Sequence, residues 1–280
     1  MNFTRTWPTD ADDGLKKLYA GEVFLVPAND ATHQLKDRVL AEVVATIGAN
    51  YRQAHHLFDA DVYFSRIGEL RKKVYTSTEF HQLVNSVISS FGFDLRQQTY
   101  DPARLRVVAH NGHLNPAAAP IYHGHRDTWY SNPQSMITWW IPLHDVSPAE
   151  TFEFFTDYFS KPVQNDSEVF DFDRWTSVGQ QNRIGWQNKD TGRTQAYPRL
   201  LQETLGPRLP VGAKAGELLL FSGQHLHQTC HNVTGKTRFS LDFRTVSSAD
   251  FANGIGPENV DNRSTGTSFS QFVKPGECRT

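Results

Sequence analysis

The chain has 280 residues, 38 % hydrophobic and 12 % aromatic, with 28 Lys and Arg against 30 Asp and Glu for a net charge of −2. That length fills one substantial core or at most two small ones, and the charge forms no basic stripe of the kind a nucleic-acid or membrane-surface partner needs. No stretch of about 18 apolar residues offers a membrane span, and no apolar segment near Met1 offers a secretory leader; two cysteines, Cys230 and Cys278, are too few for a disulfide framework, so reduced thiols in a cytoplasmic protein are the expectation.

In chain order, the first hundred residues read as mostly helical support. Glu22–Val26 reads as a short strand. Over residues 31–47, Leu35, Val39, Leu40, Val43, Val44 and Ile47 make one apolar stripe, with Asp30 as the expected N-cap and Gly48 as the stop. A second helix is expected over residues 77–90, where Phe80, Leu83, Val84, Val87, Ile88 and Phe91 recur at helical spacing and Thr76 and Glu79 fit a capping box. From Arg104 the period becomes two. Strands are expected at Leu105–Ala109, Pro120–His123, Met136–Leu143, Thr151–Phe155, Glu217–Phe221 and Thr237–Val246, separated by Pro, Gly and Asn clusters. Residues 160–200 form a long insertion with some helical character, and residues 253–280 a polar tail expected to be loop. Helices followed by short strands predict a mainly β fold with flanking helices. One unit over residues 1–280 is expected, with a double-stranded β-helix (jelly-roll, cupin-like) core over residues 104–246.

Three segments carry chemistry. In Tyr122-His123-Gly124-His125-Arg126-Asp127, an extended backbone throws His125 and Asp127 to one face and Arg126 to the other. An imidazole beside a carboxylate is two thirds of a two-His-one-carboxylate metal triad, which leaves three positions open on Fe(II). A salt-linked surface histidine is the bland alternative. About a hundred residues later, the apolar strand Leu218–Phe221 turns at Ser222-Gly223 and delivers His225, His227 and His231, any of which can be the third ligand. Residues 237–244 then alternate completely, Phe239, Leu241 and Phe243 against Arg238, Ser240, Asp242 and Arg244. Either the polar face is solvated, or it lines an interior where a guanidinium and a hydroxyl grip a carboxylate.

The order His-X-Asp, distal His, then Arg resembles the Fe(II)/2-oxoglutarate-dependent dioxygenase superfamily. The eleven-position step from His227 to Arg238 and the strand Trp139–Val146 look most like its phytanoyl-CoA-hydroxylase-like branch. The resemblance covers roughly residues 105–246. It implies Fe(II) on His125, Asp127 and His227, and 2-oxoglutarate held by Arg238 and Ser240, with Thr151 in loose register with a Thr that touches 2-oxoglutarate in other members. It further implies O2 consumption and oxidation, most simply hydroxylation, of a small-molecule substrate, with succinate and CO2 released. His227 is preferred to His225 for that spacing and for its depth in the strand. Asp127 stands where halogenating relatives carry Gly or Ala, so oxygenation without halogenation is expected. Where the branch places a Gly-Ser-His type turn, this chain has Phe152-Glu153-Phe154-Phe155-Thr156, which leaves the substrate side open. Trp129, Tyr122, Trp139 and His225 are candidate pocket residues; aromatic core is the alternative for each ring. Two other classes compete: a cupin-like metalloenzyme that needs no Arg238, and a binding module with structural histidines. The sequence carries no sign of oligomeric state.

Overall fold

The computed structural model describes residues 2–177, 197–204 and 206–277. Four helices come mainly from the first ninety residues: α1 (Ala11–Tyr19), α2 (Asp30–Ile47), α4 (Ala60–Thr76) and α5 (Thr78–Ser90), with the single turn α3 (Ala54–Leu57) before α4. The sequence expectation missed α1 and α4. In α2 the cap is one residue earlier than expected: Asn29 accepts from the Thr32 backbone N–H at 2.9 Å, and Thr32 Oγ1 accepts from the Asn29 backbone N–H at 3.0 Å. Gly48 does end α2, at φ 107°, a conformation that favours glycine. The Thr76/Glu79 capping box does not form. Thr76 is the last residue of α4, Ser77 joins α4 to α5, and Glu79 pairs with Arg38 instead.

The described residues form eight strands: β1 (Phe24–Val26), β2 (Gln98–Val108), β3 (Ile137–Pro142), β4 (Phe152–Phe155), β5 (Arg208–Pro210), β6 (Leu218–Ser222), β7 (His227–Thr229) and β8 (Arg238–Ser247). They pair antiparallel in a five-stranded sheet, β1-β6-β3-β8-β2, and a three-stranded sheet, β5-β4-β7. Period-two alternation divides the large sheet between two environments. Leu105, Trp139, Leu218, Leu220 and the Phe239/Leu241/Phe243 row pack under α1, α2, α4 and α5. Leu25, Trp140, Leu219 and Phe221 face the other way, against Phe152 and Phe154 of the small sheet. The apolar run Leu218–Phe221 is therefore a strand buried on both faces. Pro120–His123 is not a strand: Pro116–Tyr122 is a 3-10 segment, in which two prolines remove backbone donors a ladder would need.

Two short helices complete the described chain, α6 (Phe172–Ser177) in the insertion and α7 (Ser248–Asn253). Residues 178–196 of the insertion and Cys278 lie outside the described residues. The tail is mostly without regular structure but packed: Val273 bridges to Tyr100 and belongs to the helix-side core. No helix among the described residues is long and apolar enough to cross a membrane.

Candidate metal centre

Backbone pairing sets two imidazoles face to face. His125 and His227 exchange both backbone hydrogen bonds at 3.0 Å, and their ring centroids are 4.4 Å apart. Each ring is oriented by the preceding chain: His125 Nδ1 lies 2.8 Å from the His123 carbonyl, and His227 Nδ1 3.0 Å from the His225 carbonyl. A carbonyl only accepts, so Nδ1 carries the hydrogen and each Nε2 offers its lone pair. Only Arg126, at φ −105° and ψ 141°, is extended between His125 and the 3-10 turn Asp127–Tyr130. That one extended residue suffices to bring Asp127 to the side of His125, with Oδ1 3.7 Å from His125 Nε2. Ligand atoms of His125, Asp127 and His227 all lie within 4.8 Å of one another, and no other described trio of His, Cys, Asp or Glu does this. Atoms bound to one ion at about 2.1 Å stand about 3 Å apart, so small rotations close the set.

The environment prepares these groups. Burial by itself would raise the Asp127 pKa, but the Arg244 guanidinium, with Nη2 at 3.8 Å, holds the carboxyl far below the usual carboxylate range. Thr138 on β3 donates to Asp127 Oδ2 at 2.8 Å and fixes its rotation. Burial, with His125 adding to it and Asp127 opposing, pushes His227 down to about 4, so the ring is neutral. Its apolar surround is Phe152, Phe154 and Phe221, with Phe221 nearest at 5.5 Å.

The polar row of β8 is not solvated. Arg238, Ser240 and Asp242 are buried, and the row faces the side of the large sheet where the small sheet lies. Asp242 is gripped by Arg106 of β2, with Nη2 at 2.8 Å, and Asp101 by Arg104 and Arg244 at 2.9 and 3.2 Å. Arg104 and Arg106 on the edge strand β2 keep 33 % and 35 % of their side chains accessible while Leu105 between them is in the core, so the two arginines share the face of the β8 polar row. Arg238 differs from its neighbours: its Nε and Nη1 are buried without a partner, as is Ser240 Oγ. Nearby acids are already engaged, Glu150 by Arg52 and Asp242 by Arg106. Burial, reinforced by Arg106, lowers the Arg238 guanidinium to about 10. Tyr122, also close enough to Arg238 to interact electrostatically, has a buried hydroxyl without a partner. These orphaned donors fit an anion with at least two acceptor oxygens.

Several expected residues lie elsewhere. Trp139 is core, stacked on Phe243 at 5.3 Å with Nε1 donating to Thr245, because its parity on β3 sends it toward the helices. Trp129 is wholly buried, and its Nε1 donates to Asp261. His225 sits in the turn after β6, with both ring nitrogens against backbone carbonyls, Ser222 at 3.1 Å and Gly21 at 3.2 Å, not at the pocket mouth. Thr151 commits its hydroxyl hydrogen to the Val211 carbonyl. His231 stacks on His113, away from the triad. Tyr130, one of the aromatics clustered near the ligands in sequence, meets the His125 ring edge-on at 5.4 Å. Missed by the sequence analysis were Thr138, Arg104 and Arg106. The available signal for the arginines was the alternation Arg104-Leu105-Arg106 in a strand whose Leu belongs to the core.

No family model matches the chain, and no curated protein matches it. Among solved structures it is similar to ThoJ, a non-heme monooxygenase in its apo form, at 12 % identity over 92 % of this chain and 90 % of that one, TM-score 0.44. It is similar to EvdO2 from Micromonospora carbonacea var. aurantiaca at 11 % identity over 87 % and 94 %, TM-score 0.47. It is also similar to the epimerase SnoN in complex with Fe3+, alpha ketoglutarate and nogalamycin RO, at 16 % identity over 84 % of each chain, TM-score 0.43. Identities and TM-scores are low throughout, so the chemistry of the site is decided from its own residues.

Proposed function

We propose that this chain is a mononuclear non-heme iron(II) oxygenase that consumes 2-oxoglutarate, of the superfamily its motifs resemble, and that its two sheets form a double-stranded β-helix. The observation that carries this reading is the pairing of a three-ligand set with a buried guanidinium whose Nε and Nη1 lack partners. His125, Asp127 and His227 hold the ion and leave one face open. Arg238, with Ser240 and Tyr122, binds the distal carboxylate of the keto acid; a two-pronged charged donor matches a carboxylate in geometry as well as charge. When bound, iron supplies the redox chemistry that joins O2 to decarboxylation of 2-oxoglutarate and oxidation of substrate. The chain's residues do the rest. Thr138 and Arg244 keep Asp127 ionised and oriented, the two backbone carbonyls keep both Nε2 atoms available, and Phe152, Phe154 and Phe221 exclude water behind His227. Hydroxylation of a small-molecule metabolite is the simplest outcome, and the His227-to-Arg238 step places the chain nearest the phytanoyl-CoA-hydroxylase-like branch.

The test is anaerobic addition of Fe(II) and then 2-oxoglutarate to the metal-free protein. A weak visible charge-transfer band is expected with the unaltered chain and is expected to vanish in Arg238→Ala at the same 2-oxoglutarate concentration. Iron binding without any band in the unaltered chain overturns the reading in favour of a metalloenzyme that does not use 2-oxoglutarate.

A further inference from the structure

Arg126, between two residues of the triad, is a charged side chain wholly removed from solvent, among the largest fully buried side chains of the described residues. It leaves the backbone on the side opposite His125 and Asp127 and ties together segments far apart in sequence. Its Nε lies 3.0 and 3.1 Å from the two carboxylate oxygens of Asp261, Nη2 donates to the Lys161 carbonyl at 2.8 Å, and Nη1 donates to the carbonyl of Gln224, three residues before His227. Asp261 comes from the tail beyond α7. Its carboxylate also accepts from Trp129 Nε1 at 2.8 Å and from the Val163 backbone N–H at 3.0 Å, and its carbonyl from Asn165 at 3.1 Å. The two carboxylate oxygens therefore share the Arg126 Nε–H, and each has a further donor of its own. A buried ion pair adds little stability over apolar packing of the same volume. What it adds is a set of fixed distances, here between the turn carrying His125 and Asp127 and the turn leading to His227.

We propose that Asp261 is a positioning residue for the metal centre: it immobilises Arg126, and through it the spacing of His125 and Asp127 relative to His227. The proposal rests on the metal-site reading above. Groups that orient ligands from behind are worth roughly 10–100-fold in metal affinity. The experiment measures Co(II) affinity and the Co(II) ligand-field spectrum of the full chain, anaerobically, beside thermal stability, so that no turnover is needed. Asp261→Asn is expected to weaken Co(II) binding by roughly 10–100-fold and to alter the spectrum, with Asp261→Glu recovering part of both. Val273→Ala is the control, since Val273 anchors the same tail to the helix-side core away from Arg126; it is expected to lower the melting temperature and leave Co(II) affinity unchanged. Should Asp261→Asn fail to fold, Trp129→Phe removes one donor to Asp261 and keeps the ring, with a smaller change in the same direction. Unchanged Co(II) affinity and spectrum in the folded Asp261 variants, or an equal loss in Val273→Ala, overturns the proposal. Co(II) binding by His227→Ala as tight as by the unaltered chain overturns the metal site itself.

Discussion

At the scale of residues, what distinguishes the site is which polar atoms have partners and which do not. His227 directs a free Nε2 at His125 and Asp127, whereas His225 places both nitrogens against carbonyls. We expect His227→Ala to lose bound iron and activity. His225→Ala should retain iron and lose about 1–3 kcal/mol of stability, since the ring's one N–H no longer reaches a buried carbonyl; iron content and urea midpoints of the two variants check this. Arg238 predicts an unusual pair of effects. Its partnerless nitrogens cost stability in the ligand-free chain, so Arg238→Met should leave the urea midpoint unchanged or raise it. The same variant should weaken 2-oxoglutarate binding, and so raise the 2-oxoglutarate requirement, by the equivalent of about 2–5 kcal/mol, as for other truncated buried charge contacts. Succinate formation against 2-oxoglutarate concentration measures this, and an unchanged requirement would transfer the role to Arg244, whose Nε is likewise buried without a partner.

At the scale of elements, the long strands were legible because their side chains alternate or are uniformly apolar, and β3, β6 and β8 lie within about a residue of where the sequence placed them. What was not legible is instructive. The strand expected at Pro120–His123 is a 3-10 segment, yet the shared side of His125 and Asp127 survives, because His125 bridges to His227 and Arg126 between the two ligands is extended. The helix α4 was missed because its apolar positions Tyr63, Ile67, Leu70 and Val74 are diluted by charge and interrupted by exposed Val62 and Phe64. Local chemistry can also decide between adjacent candidates: Asn29 caps α2 because its side chain reaches the Thr32 N–H, while Asp30 is already helical. Asn29→Ala should therefore cost about 0.5–2 kcal/mol and leave metal affinity unaltered. A denaturant midpoint as high as that of the unaltered chain would show that the cap is replaced by water.

At the scale of the whole molecule, the site joins surfaces that meet only after the sheets pack. The large sheet carries Arg238, Ser240 and Thr138, the small sheet carries His227, and the turn between 122 and 130 carries His125 and Asp127. A ligand that spans these parts binds the folded chain and not the unfolded one, so it stabilises by mass action. Free Co(II) or Ni(II) at a hundred times its dissociation constant should add about 2.7 kcal/mol, a rise of roughly 4–5 °C in melting temperature for a chain of this size. The rise should disappear with chelator and in His227→Ala. A shift that survives in His227→Ala would place the stabilising ion elsewhere.

By itself the sequence determined what alternation and spacing can encode: the strands of residues 136–143, 217–221 and 237–246, the apolar face of α2, the shared side of His125 and Asp127, and the polar row from Arg238 to Arg244. These follow from backbone periodicity, which is local. Only the tertiary structure decided that the polar row of β8 is buried rather than solvated, that Trp139 belongs under the helices and His225 against backbone carbonyls, and that Arg126 answers Asp261 from the tail. Those depend on which elements stack and how far apart they come to rest, and hydrogen-bond partners distant in sequence leave no periodic trace in either segment.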